Sequence, residues 1–588
     1  MSASFSARLD KLNREAIAEA ESALAEQGFQ QSDNVWQGNL DLGQHGFIPI
    51  TVQLSSRFPD ALPDIFIEPK TLPHSIPHIE RSGRICLAPS TGILLDTSQP
   101  SGLVVEALQL ATNTLIKGLS GANVDDISDE FEAYWIDENT SQVWSICDLT
   151  GPARPISCFW LRPPDRMQTI NRLFANSREA ARTWAHRVGW RVKRAVPGFL
   201  IPLTTTFLPP SPNRPITFVD VQQIMQQHAS PETAETLTMW LEGVTFPITL
   251  LVVLPLRGAQ SIATVGIDVE VPQGAAARQL QRGFRPGKMT AMHTLRLQPN
   301  LPVKRLLIER LDTAYVVPRG GADVSLSTYT IAVVGCGAVG SHIVSHLAAL
   351  GVGKLRLVDP EHLTSANIHR HVLGVSYLRW NKARGMAFEI GCRFPHLDVE
   401  YRERAIEEVL REEAAFITEA DLVVIAIGDP TVELRINELL DCQKPRLHAW
   451  VEPLGIGGHI LATGITEGLG CYRCLYKEDE IFGLINLASF AEPGQTFQRT
   501  MGGCAGQFVP FAALDADRIA GEAARLAAQI LTGMEREHVL ISIREDEHAF
   551  CDAGYKLAPR ARLIAAGSRY REKRHIRNDC PTCGRWGH

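Results

Sequence analysis

The residues best placed to do chemistry are cysteines and glycines. Four of the twelve cysteines form two C-x-x-C pairs, Cys471-Tyr-Arg-Cys474 and Cys580-Pro-Thr-Cys583. An all-sulfur set of four favours tetrahedral zinc in a closed structural site with no open coordination position. Neither pair opens a helix in a thioredoxin-like pattern, so a redox role fits less well. The pairs lie far apart in sequence, so a shared metal would fasten the C-terminal tail to a domain body. The second set starts at Gly335, Gly337 and Gly340, a G-x-G-x-x-G turn after the apolar run 330–334. A helical pattern follows, then a strand-like run, 354–358, that ends on Asp359. Strand, glycine turn, helix, strand and acid together put nucleotide phosphates over a helix N-terminus and a carboxylate on the ribose. By itself the motif also fits a nicotinamide-dependent dehydrogenase. Asn367, Arg370 and Lys382 come next. Hydride transfer has no need of an amide and two cations there, whereas a site stabilising negative charge on a reacting phosphate does. Asp429 follows the apolar run 421–427, where open α/β sheets bind ligands, and could hold Mg²⁺. Each has a plainer reading when taken singly: Asp429 starts an Asp-Pro turn, Lys382 is a surface lysine, and Arg370 caps a helix.

The rest of the chain must position these groups. A length of 588 residues predicts several domains, and 45% hydrophobic content lets each bury a core. The net charge of −7 gives no reason to expect a nucleic-acid partner. The N-terminus lacks the apolar run of a signal peptide, and the apolar stretch 247–256 is too short to span a membrane. The cysteine usage fits a reducing cytoplasm. Residues 1–121 read as helix (Leu9, Leu12, Ala16, Ala20 and Leu24 at helical spacing), antiparallel strands, a Pro-rich loop 69–100 containing Cys86, and a second helix at 103–119. Residues 122–146 read as an acidic, solvated linker in which Phe131, Tyr134 and Trp135 suggest some packing. Residues 147–300 read as an α+β spacer or docking domain, with strands at 157–161, 197–203, 215–219, 248–256 and 262–271 and helices at 177–188 and 221–228. No chemical constellation stands out there. Residues 301–588 read as an α/β domain built on the glycine turn. The predicted class is therefore a multidomain α/β and α+β chain.

The block GCGAVGSHIVSHLAALGVGKLRLVDPEHLTSANIHRH, residues 335–371, resembles the Rossmann-like adenylation domain of the ThiF/MoeB and ubiquitin-activating family, over about residues 319–583. The resemblance implies that ATP adenylates a protein C-terminal carboxylate, with release of pyrophosphate. It assigns Asn367, Arg370 and Lys382 to the triphosphate, Glu361 to the second acid of the family pair, and Asp429 to Mg²⁺ and the adenylate. The two C-x-x-C pairs become the family zinc site. His371 stands where the family has Gln. In that family an arginine from the partner subunit completes the ATP site; Arg319 is the candidate, which implies a homodimer through this domain. The family's transfer cysteine matches Cys504 in GGCAGQFVPF by position, with Cys551 as runner-up; Cys336, inside the phosphate loop, reads as packing. A polar, Gly-flanked loop suits a nucleophilic thiolate.

The stretches RFPDALPDIFIEP and PHIERSGRICLAPS resemble the ubiquitin-conjugating family, with Cys86 as its catalytic cysteine. The family H-P-N motif is shortened. His78 lies eight residues before Cys86, where the family has its oxyanion-stabilising Asn, and is either an imidazole N–H donor to that oxyanion or a loop residue. The family Trp after the cysteine is absent before Pro100. A conjugating domain, spacer and activating domain in this order resemble the fused activating–conjugating enzymes of bacterial CBASS anti-phage operons. That implies adenylation of the C-terminal Gly of a cGAS/DncV-like nucleotidyltransferase or a ubiquitin-like protein. The acyl group would pass to Cys504, then Cys86, and finally to a lysine of a target protein. Two other readings stay open. One is a sulfur-carrier adenylyltransferase and sulfurtransferase, with a persulfide on Cys504; the other is a non-catalytic scaffold that binds a nucleotidyltransferase.

Overall fold

The computed structural model describes residues 2–583 apart from 70–71, 73–75, 81, 88–93, 124–125, 127–129, 164–169, 211–214, 257–261, 271–288, 442, 467–469, 501–506, 574–576 and 578. Two compact units emerge, one made of Met1–Trp160, Thr169–Arg178 and Lys193–Glu309, the other of Leu161–Gln168, Glu179–Val192 and Arg310–His588.

The first unit opens with helix Ser2–Glu26, whose Ala16, Ala20 and Leu24 are buried while Leu9 and Leu12 are exposed. The buried stripe packs on one face of an antiparallel sheet ordered Gln30–Ser32, Val35–Asp41, Phe47–Gln53, Asp64–Ile67. Helix Pro100–Leu119 closes this core with Leu103, Val104, Ala107 and Ala111, and Pro100 occupies the first helical turn, where a missing N–H costs nothing. Between sheet and helix, the chain before Cys86 is pinned to the last strand. Ile67 N–H donates to Gly83 O and Ile85 N–H to Ile65 O, both at 2.8 Å. Gly83 has φ +85°, and a Cβ there would lie 2.0 Å from Ile67 O, so only glycine fits.

The remainder of this unit is built on a closed barrel of seven strands, in the order Ile262–Val269, Val303–Arg310, Ser141–Ser145, Arg172–Ala175, Arg154–Arg162, Arg191–Pro202, Ile248–Pro255. Closure removes the unpaired edges an open spacer would carry. The run at 215–219, expected as a strand, instead starts helix Phe218–His228: Thr217 N–H donates to Asp220 Oδ2 at 2.8 Å, closing a capping contact. Val303–Arg310 is a barrel strand, whereas the sequence reading placed residues from 301 onward with the activating domain. The acidic stretch is not a solvated linker throughout. Its helix Phe131–Trp135 buries Phe131 and Trp135 in a core shared by one face of the barrel strands and the helices packed on it, and Ser141–Ser145 is a barrel strand.

The second unit is built on an eight-stranded sheet ordered Asp398–Arg402, Lys354–Val358, Thr330–Val334, Leu422–Ile425, Arg446–Val451, Gly457–Thr463, Val539–Arg544, Arg569–Lys573. The first five strands run parallel and the rest antiparallel. Parallel strands buried on both faces read as continuous apolar runs, as Leu422–Ile425 does. Helices Ala338–Ala349 and Ala513–Leu531 share one core with this sheet. Among the described residues no helix is long and apolar enough to cross a membrane.

Candidate adenylation, conjugation and metal sites

Thr330–Val334 is the strand from which the parallel order runs both ways, and open sheets bind ligands beyond the C-terminal ends of the strands at such a switch point. In register, Val334 lies beside Val358 on one side and Ile425 on the other. The glycine turn, Asp359 and Gly428-Asp429 therefore leave three adjacent strands at one sheet edge. Gly335 has φ +89°, and a Cβ there would lie 2.6 Å from Ala426 O; a Cβ on Gly340 would lie 1.8 Å from Gly335 O. Gly337 differs: a Cβ there would meet nothing within 4 Å, so its side of the loop is open.

Asp359 is buried at 5% exposure, and burial is the main cause of its raised pKa. Its Oδ2 accepts from Cys336 N–H at 2.6 Å and its Oδ1 from Glu361 N–H at 2.7 Å. The carboxylate expected at the ribose thus also fixes the glycine turn. Lys382 is buried and ion-paired with the exposed Glu361. It opens helix Lys382–Arg393, whose N-cap Asn381 accepts from Arg384 N–H and donates to the Asp359 and Glu361 carbonyls at 2.8 and 3.2 Å. Asn381 was not singled out from sequence, although an Asn immediately before a helical pattern is a cap signal. Asn367 Oδ1 closes its own turn by accepting from Thr364 N–H and Oγ1–H at 3.1 and 2.8 Å. Arg370 donates to Val509 O at 3.0 Å and stacks over Phe511 at 4.6 Å. His371 is buried against the glycine turn, its Nε2 2.7 Å from Cys336 O.

Asp429 is exposed and caps helix Pro430–Leu439, its Oδ1 accepting from Thr431 N–H at 2.9 Å. Beneath it lies a buried pair that sequence reasoning missed. Glu433 Oε1 accepts from Gly428 N–H at 3.1 Å, and His448 Nδ1 lies 3.3 Å from Glu433 Oε2. Arg319 ends helix Thr313–Arg319, is exposed, and stacks on Tyr315 at 4.3 Å. Cys336 is buried, and burial raises its thiol well above the ordinary range, which suits packing and not nucleophilic attack. Cys504 lies outside the described residues. Cys551 is exposed in the short helix His548–Asp552.

The four sulfurs of Cys471, Cys474, Cys580 and Cys583 all lie within 4.8 Å of one another. The Cys471–Cys580 and Cys474–Cys583 separations are 3.7 and 3.4 Å. Sulfur-only donors in a closed, mostly buried cluster fit zinc in a structural role.

In the first unit Cys86 is exposed, and its N–H donates to His78 O at 2.7 Å. His78 has φ +63°, a left-handed backbone that is uncommon for a non-glycine residue. Its ring faces acids on both sides: Nε2 lies 3.0 Å from Asp126 Oδ2 and Nδ1 3.6 Å from Glu130 Oε1. Its backbone N–H donates to the Tyr134 phenol at 2.7 Å. Burial, above all, pushes that phenol up to about 12. None of Asp126, Glu130 and Tyr134 was assigned a role from sequence, because they follow Cys86 across an entire helix.

The ThiF family model matches residues 316–548, and the model of prokaryotic E2 family B matches residues 9–143. The chain thus combines a ThiF domain with a prokaryotic E2 family B domain. Its E2 match runs through the acidic segment that carries Tyr134. The ATP-dependent ubiquitin transferase-like protein Cap2 of Pseudomonas aeruginosa is 25% identical over 524 residues, covering 85% of this chain and 89% of that protein. The adenylyltransferase and sulfurtransferase UBA4 of Candida albicans is 26% identical over 176 residues, only 29% of this chain and 39% of that protein. Among solved structures, E. coli MccB with ATP is 17% identical, with 44% of this chain and 67% of that one covered at a TM-score of 0.32.

Proposed function

We propose that this ThiF–E2 fusion adenylates the C-terminal glycine of a partner protein, a cGAS/DncV-like nucleotidyltransferase or a ubiquitin-like protein, and conjugates it to a target lysine in anti-phage defence. The observation that carries the reading is the pairing of two features in one chain. A glycine turn, Asp359 and Asp429 occupy the end of one parallel sheet, Lys382 pairs with Glu361 two residues after Asp359, and an exposed Cys86 sits in an E2-type domain. Similarity to Cap2 across both domains supports it.

In this reading a carboxylate oxygen of the partner's terminal glycine attacks the α-phosphorus of ATP, and pyrophosphate leaves. Backbone N–H groups of the glycine turn, with Asn367, Arg370 and Lys382, hold the triphosphate and the charge that builds on it. Lys382 exchanges its Glu361 contact for phosphate oxygens. Mg²⁺, held by Asp429, would neutralise phosphate charge. Arg319 would act in trans in a homodimer. The Cys504 thiolate then attacks the acyl carbon and AMP leaves. The Cys86 thiolate takes the acyl group by thioester exchange, and a lysine amine attacks it, releasing the thiol. Cys471, Cys474, Cys580 and Cys583 would hold zinc and bind the tail to the domain. All of this chemistry suits a reducing cytoplasm.

The sulfurtransferase reading draws on the UBA4 similarity, which covers less than a third of the chain and leaves the E2-type domain without a role. ATP–pyrophosphate exchange that depends on a Gly-terminated partner tests the adenylation step; no exchange with any such partner would remove it.

A further inference from the structure

The geometry points to His371 as a positioning residue for the phosphate loop: it aims the Gly337 N–H at the nucleotide by holding the Cys336 carbonyl. This deepens the adenylation reading and rests on it. The His371 ring is buried and makes two contacts, both with backbone. Leu373 N–H donates to Nδ1 at 3.0 Å, so Nδ1 carries no proton. The ring proton is therefore on Nε2, which donates to Cys336 O at 2.7 Å. Burial lowers the pKa to about 4, which keeps the ring neutral and this tautomer in place at physiological pH.

The consequence follows from peptide geometry. In a trans peptide the carbonyl of one residue and the N–H of the next point in opposite directions within one plane. Fixing Cys336 C=O toward His371 therefore turns Gly337 N–H away from it. Gly337 itself borders open space, with nothing within 4 Å of where a Cβ would stand. On the preceding peptide, Asp359 Oδ2 takes the Cys336 N–H at 2.6 Å. Cys336 is thus clamped at both ends, by a carboxylate at its N–H and an imidazole at its C=O. The two clamps leave the next donor committed to the ligand side before any nucleotide arrives, so ordering the loop costs nothing at binding. Hydrogen bonds to charged groups are strong enough that a misdirected donor costs about tenfold in affinity.

The test uses the full chain with Mg²⁺ and a fluorescent ATP analogue, and displacement by adenosine as the phosphate-free control. Glutamine carries a donor and an acceptor on one side chain and can make both contacts; leucine can make neither, and asparagine is too short for both. H371L and H371N should bind the ATP analogue about tenfold more weakly, with adenosine affinity unchanged, and H371Q should return to within about threefold of the wild type. A uniform loss for ATP and adenosine would make His371 a general packing residue and overturn the inference, as would wild-type ATP affinity in H371L. Wild-type protein that binds no ATP would instead strike the adenylation reading itself.

Discussion

The backbone N–H of His78 donates to the phenol oxygen of Tyr134 at 2.7 Å, and the carbonyl of the same His78 accepts from Cys86 N–H at the same distance. The thiol loop is therefore fastened to a residue that comes 48 positions later in the chain, on a helix whose Phe131 and Trp135 are buried against barrel strands. The barrel, which has no chemistry of its own in the sequence, thus anchors the Cys86 loop. Replacing Tyr134 by Phe removes the acceptor and leaves a partly buried N–H unsatisfied beside a left-handed backbone, at a cost of about 1–3 kcal/mol. Y134F should slow Cys86-dependent conjugation about tenfold in single-turnover assays while ATP–pyrophosphate exchange stays at the wild-type rate.

The glycines of the phosphate loop should separate by function. A Cβ on Gly340 would lie 1.8 Å from backbone, so G340A should lower the thermal midpoint of the ThiF domain by several degrees or prevent its folding. Gly337 has φ −75°, which alanine adopts freely, and open space around it. G337A should keep the wild-type midpoint and lose ATP affinity, because the methyl group occupies the phosphate side.

Acid should destabilise the ThiF domain through its buried histidines. His371 and His538 titrate at about 4 in the fold, against 6.5 for the unfolded side chain, both because of burial. The unfolded chain binds these protons first, so their contribution is complete above pH 6.5 and lost as pH falls toward 4. For His371 alone the shift corresponds to about 3 kcal/mol. Thermal midpoints recorded from pH 7 to pH 5 should fall, and H371Q should fall less steeply.

The four-cysteine cluster should bind one zinc per chain, measured by elemental analysis of the purified protein. Replacing Cys580 and Cys583 with Ser leaves two thiols, too few for a closed site. The variant should lose the metal, expose the tail beyond Arg569–Lys573 to protease, and lower the midpoint of the ThiF domain.

The arrangement of the candidate ThiF-domain site was legible in the sequence where its parts are local. The glycine turn and Asp359 belong to one strand–turn–helix–strand unit, and the structure puts them at one sheet edge with Asp429. The two C-x-x-C pairs carry their own spacing, and the structure brings their sulfurs together. Contacts made across long sequence separations were invisible. Glu433 supports Gly428 from one helix turn away, but its partner His448 lies on a different strand. Tyr134 reaches His78 over an entire helix. The barrel was read only as an α+β spacer or docking domain because its strands are joined across distant positions, as Gln142 and Trp144 to Glu309 are. The strand expected at 215–219 failed because an apolar β-branched run hid the Thr217–Asp220 cap.

The central claim is an acyl relay that ends on Cys86, and it is tested most directly by following a thioester. The full chain, ATP, Mg²⁺ and a Gly-terminated partner protein should give an adduct on Cys86 that survives denaturation and is lost on adding reductant. In C86A the adenylation-dependent exchange should persist while that adduct and every lysine conjugate vanish. If C86A forms conjugates as the wild type does, the relay is wrong and the E2-type domain has another purpose.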